Sequence, residues 1–252
     1  MPPARQPLTI PLLSQTVINR AEHCARLIWF GTSYLTGKPQ TSDELLLEEF
    51  SRPVQDFLTG RTKSIAFSRS AIHDLMVVGG LKALFRTQHQ LDFQQFETFL
   101  ETNLFSLLRS SPATITNLQL SEFVKNSGKA LVSTKVNTNA GYRVALASRI
   151  LFFALPRVKL FNFSQDFSDV LQLQSRPQIA IYNFQEIFDA GLRLNRSRLR
   201  NITPPASSGI IDEQIYGNKL IMDDWWQRRV LDLAVKLHFN TVTPINPLPP
   251  KP

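Results

Sequence analysis

Apolar residues recur at three- and four-residue spacing along most of this chain, which constrains the fold more than any other feature. Between Asp92 and Pro112 the stripe is Phe96, Phe99, Leu100, Leu104 and Leu107 or Leu108, one face of an amphipathic helix. From Leu13 to Leu35 it is Val17, Ile18, Ala21, Ala25, Leu27 and Ile28, with Gly31 and Gly37 near its end. Thr41-Ser42-Asp43-Glu44 reads as a capping-box start ahead of Leu45, Leu46, Leu47 and Phe50, and Pro53 is expected to end or kink that helix. Ser68 or Ser70 can cap a segment reaching about Arg86, with Gly79-Gly80 as a weak point inside it.

The pattern continues through the second half. Thr116 to Ser127 reads as a helix with Gly128 as its C-cap. An apolar helix follows from about Ala140 to Leu155, stopped by Pro156. Ser164 starts a short helix to about Leu173, Tyr182 to Leu199 forms another, and the last runs from Asp223 or Asp224 to His238. Strand signals are confined to Leu8-Thr9-Ile10 and Gln178-Ile179-Ala180-Ile181. With 18 Phe and only 10 Gly, the composition favours packed helices over turn-rich sheets. The expected fold is mainly α and multi-helix, with few or no strands. It divides into an N-terminal helical half (1–112), a basic helical half (113–242) and a Pro-rich tail (243–252), although one intertwined domain fits as well.

Charge is distributed unevenly. Lys125 to Arg200 holds twelve basic residues against four acidic ones, an excess of eight that equals the net charge of the whole chain. A field concentrated in one region steers polyanions toward it, so nucleic acid is the first partner to consider. A basic face kept for solubility is the alternative.

Several classes are excluded. One cysteine, Cys24, leaves no internal disulfide and no Cys-based zinc cluster, which suits a reducing cytoplasm. The four histidines are scattered, and none stands at metal spacing, so neither metal nor cofactor is expected. GxGxxG, GxxxxGK[ST], HExxH and GxSxG are all missing. The longest apolar run, Val144 to Pro156, is interrupted by Ser148 and Arg149 and falls short of the roughly 20 residues a membrane span needs. A soluble, cytoplasmic protein is expected.

One constellation carries more chemistry. Thr138-Asn139-Ala140-Gly141-Tyr142-Arg143-Val144-Ala145 resembles the hairpin of helix-hairpin-helix DNA glycosylases, which reads like P-G-V-G-x-K-V-A in the 8-oxoguanine glycosylase branch. An apolar helix ending at Pro156 follows, as in that family. Nineteen residues after Arg143, where the family places its catalytic aspartate, stands Asn162 within Phe161-Asn162-Phe163-Ser164. The resemblance covers about 30 residues, roughly Lys135 to Ser164. The last helix, around Asp224-Trp225-Trp226-Gln227-Arg228-Arg229, is similar to the C-terminal helix of bacterial proteins with this fold. It implies a glycosylase-like architecture that binds and bends double-stranded DNA, flips a base and hydrolyses its N-glycosidic bond, in repair or in defence against foreign DNA.

The sequence departs from the family at both chemical positions. Arg143 replaces the Schiff-base lysine and cannot be deprotonated at working pH. Asn162 replaces the aspartate; an amide can orient a water but cannot act as a general base. Asp166, four residues on, is the nearest carboxylate substitute. Asn139 takes the place of the first hairpin glycine and tolerates the left-handed conformation. A turn at a helix N-terminus presents N–H groups to a phosphate, with Gly141 allowing close approach and Lys129, Lys135 and Arg143 adding charge. An ordinary helix–helix turn is the competing reading.

Two further groups complete the candidates. On a continuous helix Arg193, Arg196 and Arg200 would share one face, opposite Leu194 and Leu199, suited to phosphates or simply to solvent. Trp225 and Trp226 offer π-faces to an extruded base, but adjacent helical residues point about 100° apart, and core packing is the better expectation for each. A non-catalytic DNA-binding regulator of a mobile element would use the same basic surface and would lack the catalytic Lys and Asp. An RNA-binding or assembly role has no recognisable module behind it. A pocket between the two halves, with Asn162 or Asp166 at its edge and an aromatic residue inside, would favour the enzyme.

Overall fold

The computed structural model describes residues 8–78, 93–110, 115–133, 140–164, 167, 170–171, 177–207 and 219–241. Among them the secondary structure is helical, as the apolar spacing predicts: α1 (Gln15–Trp29), α2 (Asp43–Leu58), α3 (Arg69–Val78), α4 (Phe93–Ser110), α5 (Asn117–Ser133), α6 (Ala140–Ala154), α7 (Pro177–Leu194), α8 (Arg196–Leu199) and α9 (Lys219–His238). The remaining β contact is an isolated bridge between Thr32 and Pro39.

Serine caps set several starts. The Oγ atoms of Ser14, Ser42 and Ser68 accept the N–H groups of Val17, Leu45 and Ala71 at 3.3, 3.0 and 3.0 Å, satisfying donors the first turn would leave bare. α1 ends at Trp29, and Gly31 just beyond it has a φ of +76° that disfavours any side chain.

Tertiary packing overrides four local signals. Pro53 lies inside α2 and does not end it. Pro53 has no N–H to give, yet Phe50, Ser51 and Val54 around it are buried, and α2 packs along α6. Gly128 likewise falls within α5, which runs on to Ser133; a glycine costs a helix only about 1 kcal/mol, and α5 lies against both α6 and α7. Gln178–Ile181 belongs to α7 rather than to a strand, because Ile181, Phe184 and Phe188 continue a buried helical stripe. The Leu8-Thr9-Ile10 segment forms no strand either; Leu8 donates its N–H to the Leu171 carbonyl at 2.9 Å. α9 begins a turn earlier than expected, extended by the i,i+4 pairs Lys219–Asp223 and Arg228–Asp224, each 3.0 Å.

The core is one connected hydrophobic cluster from Ile10 to Leu237, with members on both sides of residue 112. α9 lies along α1. At their contact Trp29, Trp225 and Trp226 are each fully buried, with Trp29 edge-on to the other two at 6.1 and 5.8 Å. A second aromatic group, Phe161, Phe163, Phe167, Phe184 and Phe188, joins the segment after α6 to α7. No helix of the described residues is long and apolar enough to cross a membrane.

Candidate functional site

Asn162 sits in the non-helical segment 157–164, whose backbone polar groups need partners from elsewhere. Side chains supply them. Ser148 Oγ on α6 donates to the Phe161 carbonyl at 3.1 Å and accepts the Phe163 N–H at 2.8 Å. Gln185 on α7 accepts the Phe161 N–H through Oε1 at 2.9 Å and donates from Nε2 to the Phe161 carbonyl at 2.8 Å. Fully buried Arg228 closes the turn before them, donating to the Pro156 and Leu160 carbonyls, both at 2.7 Å. Phe161 and Phe163 are thereby fixed in the core, and Asn162, between them, is held in place by α6, α7 and α9 together.

Asn162 lines a pocket of about 110 Å³. Ser33, Tyr34, Leu35 and Gln40 form its outer edge, Ile28, Leu46, Leu75, Phe153 and Leu233 supply apolar wall, and Asp43, Arg149, Arg229 and Lys236 supply charge. The edge loop is closed by hydrogen bonds from Gln40 N–H to the Gly31 carbonyl at 2.8 Å and from Ser33 N–H to the Lys38 carbonyl at 2.9 Å. The walls come from both sides of residue 112, and Tyr34 and Phe153 are aromatic.

The polar wall is a buried charge network. Arg229 donates from Nε to Asp43 Oδ2 at 2.6 Å, from Nη2 to Asp43 Oδ1 at 3.3 Å and from Nη1 to Asp232 Oδ2 at 3.2 Å. Lys236 Nζ donates to the same Asp232 oxygen at 3.1 Å. Arg149 also lines the pocket, while Arg229 and Lys236 share the Asp232 carboxylate and Arg229 takes Asp43 as well. Burial pushes the Lys236 ammonium below its ordinary value; Asp232 pulls it back up, while Arg229 and Arg149 push it down further. Burial would lower Arg229 as well, but Asp43 and Asp232 outweigh it and hold that guanidinium charged. Burial raises Tyr34, so its hydroxyl stays neutral and able to donate. Asn162 Oδ1 is buried with no hydrogen-bond partner among the described residues.

The other sequence candidates fall in different places. Asp166, Lys135 and Asn139 lie outside the described residues. Lys129 is on α5, and Gly141 and Arg143 are in the first turn of α6, their side chains outside the description. Trp225 and Trp226 do not reach the pocket: both are fully buried, Trp225 donating from Nε1 to the Phe152 carbonyl at 3.1 Å. The continuous arginine helix is broken at Asn195. That buried residue bonds the Leu13 N–H through Oδ1 at 2.8 Å and donates from Nδ2 to the Pro11 and Gly191 carbonyls, so α7 is capped there and tied to the N-terminal segment. Arg193, Arg196 and Arg200 are all exposed, Arg193 paired with Asp189. Leu194 is 51% exposed and forms no apolar side with buried Leu199. A second, larger hollow of about 460 Å³ lies where α2, α4 and α5 meet residues 154–159, with exposed Arg157 and Lys159 beside it.

Family models, characterised proteins and solved structures all give no match to this chain.

Tyr34, Asp43, Arg149, Arg229 and Lys236 escape sequence reasoning about the site. Asp43 reads as part of a capping box, Arg149 as an interruption of an apolar run, and Arg229 as part of the last helix. The available signal was Arg228, Arg229, Asp232 and Lys236 interleaved with Trp225, Trp226, Val230, Leu231, Leu233, Val235 and Leu237, since charge set among such apolar residues must find partners.

Proposed function

We propose that the protein is a DNA-binding base-excision enzyme, a glycosylase-like hydrolase that holds an extruded base in the Asn162 pocket. The observation that carries this reading is the position of Asn162. The residue the hairpin register nominates, counted along the chain alone, lines a pocket with charged walls and aromatic rings, its Oδ1 unpaired among the described residues. The positive excess between Lys125 and Arg200 supports DNA as the partner, with exposed Arg193, Arg196 and Arg200 as contacts to phosphates.

In the reaction, a water oxygen bonds to C1′ of the target sugar as the C1′–N bond breaks, and the water's proton ends on the departing base. Positive charge builds on the sugar, and a nearby carboxylate stabilises it. Asn162 orients the water through Nδ2, which leaves Oδ1 for the base; Asp166 is the carboxylate to consider, since both oxygens of Asp43 are taken by Arg229. With Arg143 in the lysine position no Schiff base forms, so the abasic product remains intact. The single thiol suits a reducing cytoplasm.

The test is incubation with duplexes carrying varied damaged or modified bases, followed by alkaline cleavage and, in parallel, borohydride reduction. Strand breaks that appear only after alkali, without borohydride trapping, support the reading. DNA binding with no base released from any duplex transfers it to a non-catalytic DNA-binding regulator.

A further inference from the structure

The pocket's polar groups are arranged asymmetrically, and that asymmetry selects among bases. Arg229 has five N–H groups and makes three hydrogen bonds, while Lys236 has three and gives one to Asp232. The remaining donors have no protein acceptor among the described residues. Tyr34 and Gln40 add a hydroxyl and an amide at the edge. Two buried acceptors of this region are unpaired, Asp232 Oδ1 in the charge network and Asn162 Oδ1, and of the two residues only Asn162 lines the pocket. A ligand that satisfies these donors and Asn162 Oδ1 brings carbonyl oxygens to the cations and an N–H to Asn162.

Size narrows the choice further. At about 110 Å³ the pocket is smaller than the cavity of about 150 Å³ that holds benzene, so a fused ring pair is too large for it and a single substituted ring enters only if the edge residues give way. Ile28, Leu75 and Phe153 give that ring apolar walls.

We propose that the pocket takes a single-ring imide base of the uracil type, its carbonyls against Arg229 and Lys236 and its imide N–H on Asn162 Oδ1. This rests on the base-excision reading and names its substrate class. Cytosine inverts two of these contacts: its ring nitrogen sets a lone pair against Asn162 Oδ1, and its amino group sets a donor against the cations. Sites built around buried polar groups reject such analogues strongly, because the groups are left unpaired. Hydrolytic deamination of cytosine is the class of reaction that supplies this base in DNA.

The experiment uses the full chain with duplexes carrying one uracil, cytosine, hypoxanthine or adenine, plus saturation-transfer NMR with free uracil and free cytosine. The expected result is uracil release at least ~100-fold faster than cytosine release, with both purines slower than uracil. Asn162→Ala should cut the uracil-to-cytosine ratio ~10-fold or more. Tyr34→Phe, which keeps the ring in place, should lower it less and serves if the first variant fails to fold. Release of purines with uracil left intact overturns the imide assignment and leaves base excision standing. Asn162-dependent binding of free uracil with no release from any duplex upholds the pocket's chemistry and removes the excision reading. Failure of both release and uracil binding overturns both.

Discussion

Arg229 Nε lies 2.6 Å from Asp43 Oδ2, joining α9 to the first turn of α2 across 186 residues of sequence. Both groups are buried, so the pair sits in a low dielectric where neither charge can turn to water. It also forms one wall of the pocket. Fold and site therefore share this contact, and a change here reaches both.

Removing one partner leaves the other buried and uncompensated, which typically costs about 3–5 kcal/mol. Arg229→Ala and Asp43→Ala should each lower the unfolding free energy by that order, and the double variant should cost clearly less than their sum. Additive losses in equilibrium unfolding would mean that the two side chains act independently.

The helices were legible in the sequence because the apolar residues are spaced for them. The Ser42 cap and the end of α6 shortly before Pro156 needed nothing beyond local chemistry. Gly128 misled for the same reason in reverse: the glycine signal is local, while α5 is held by its packing on α6 and α7; Pro53 stays inside α2, which packs on α6 far away in sequence. Asn162 could be nominated by register counting, but its neighbours could not. Tyr34, Asp43, Arg149 and Lys236 come from four separate elements, and only folding brings them together.

Gly31 shapes the outer edge of the pocket. A Cβ there would stand 2.9 Å from the Gln40 carbonyl oxygen, in a backbone conformation that already disfavours side chains. Gly60 has the same φ of +76° with open space around it. Gly60→Ala should cost about 1 kcal/mol from conformation alone, and Gly31→Ala distinctly more, with a disturbed Tyr34 environment. Equal losses in thermal unfolding would show that the 31–40 loop yields easily.

Burial pushes the Cys24 thiol from 9.0 to about 11. A raised folded-state value favours the neutral thiol, so this contribution is present below about pH 9 and is lost as pH rises through about 11. Stability should fall across that window, and Cys24→Ala should flatten the fall. An identical pH profile in the variant would assign the loss to other groups.

Trp226 is a packing residue on this geometry. Trp226→Ala should destabilise by about 3–5 kcal/mol, whereas a tryptophan reserved for stacking a base would lose binding at little cost in stability. Circular dichroism melting alongside a DNA-binding titration separates the two.

DNA affinity should fall steeply with salt, as counterion release requires. Replacing Arg193, Arg196 and Arg200 together by Ala should weaken binding on all sequences alike and reduce the salt slope. Unchanged affinity in the triple variant would move the interface away from the α7–α8 corner.

The most direct measurement compares the intact protein with Asn162→Ala in two readouts on one uracil-containing duplex, affinity and single-turnover base release. Affinity should stay within about twofold, because the basic surface that supplies it is untouched. Release should drop by about 100-fold or more, the usual consequence of losing one oriented polar group at a reacting centre. Release that proceeds at the same rate without the Asn162 amide would contradict the proposed role of this pocket.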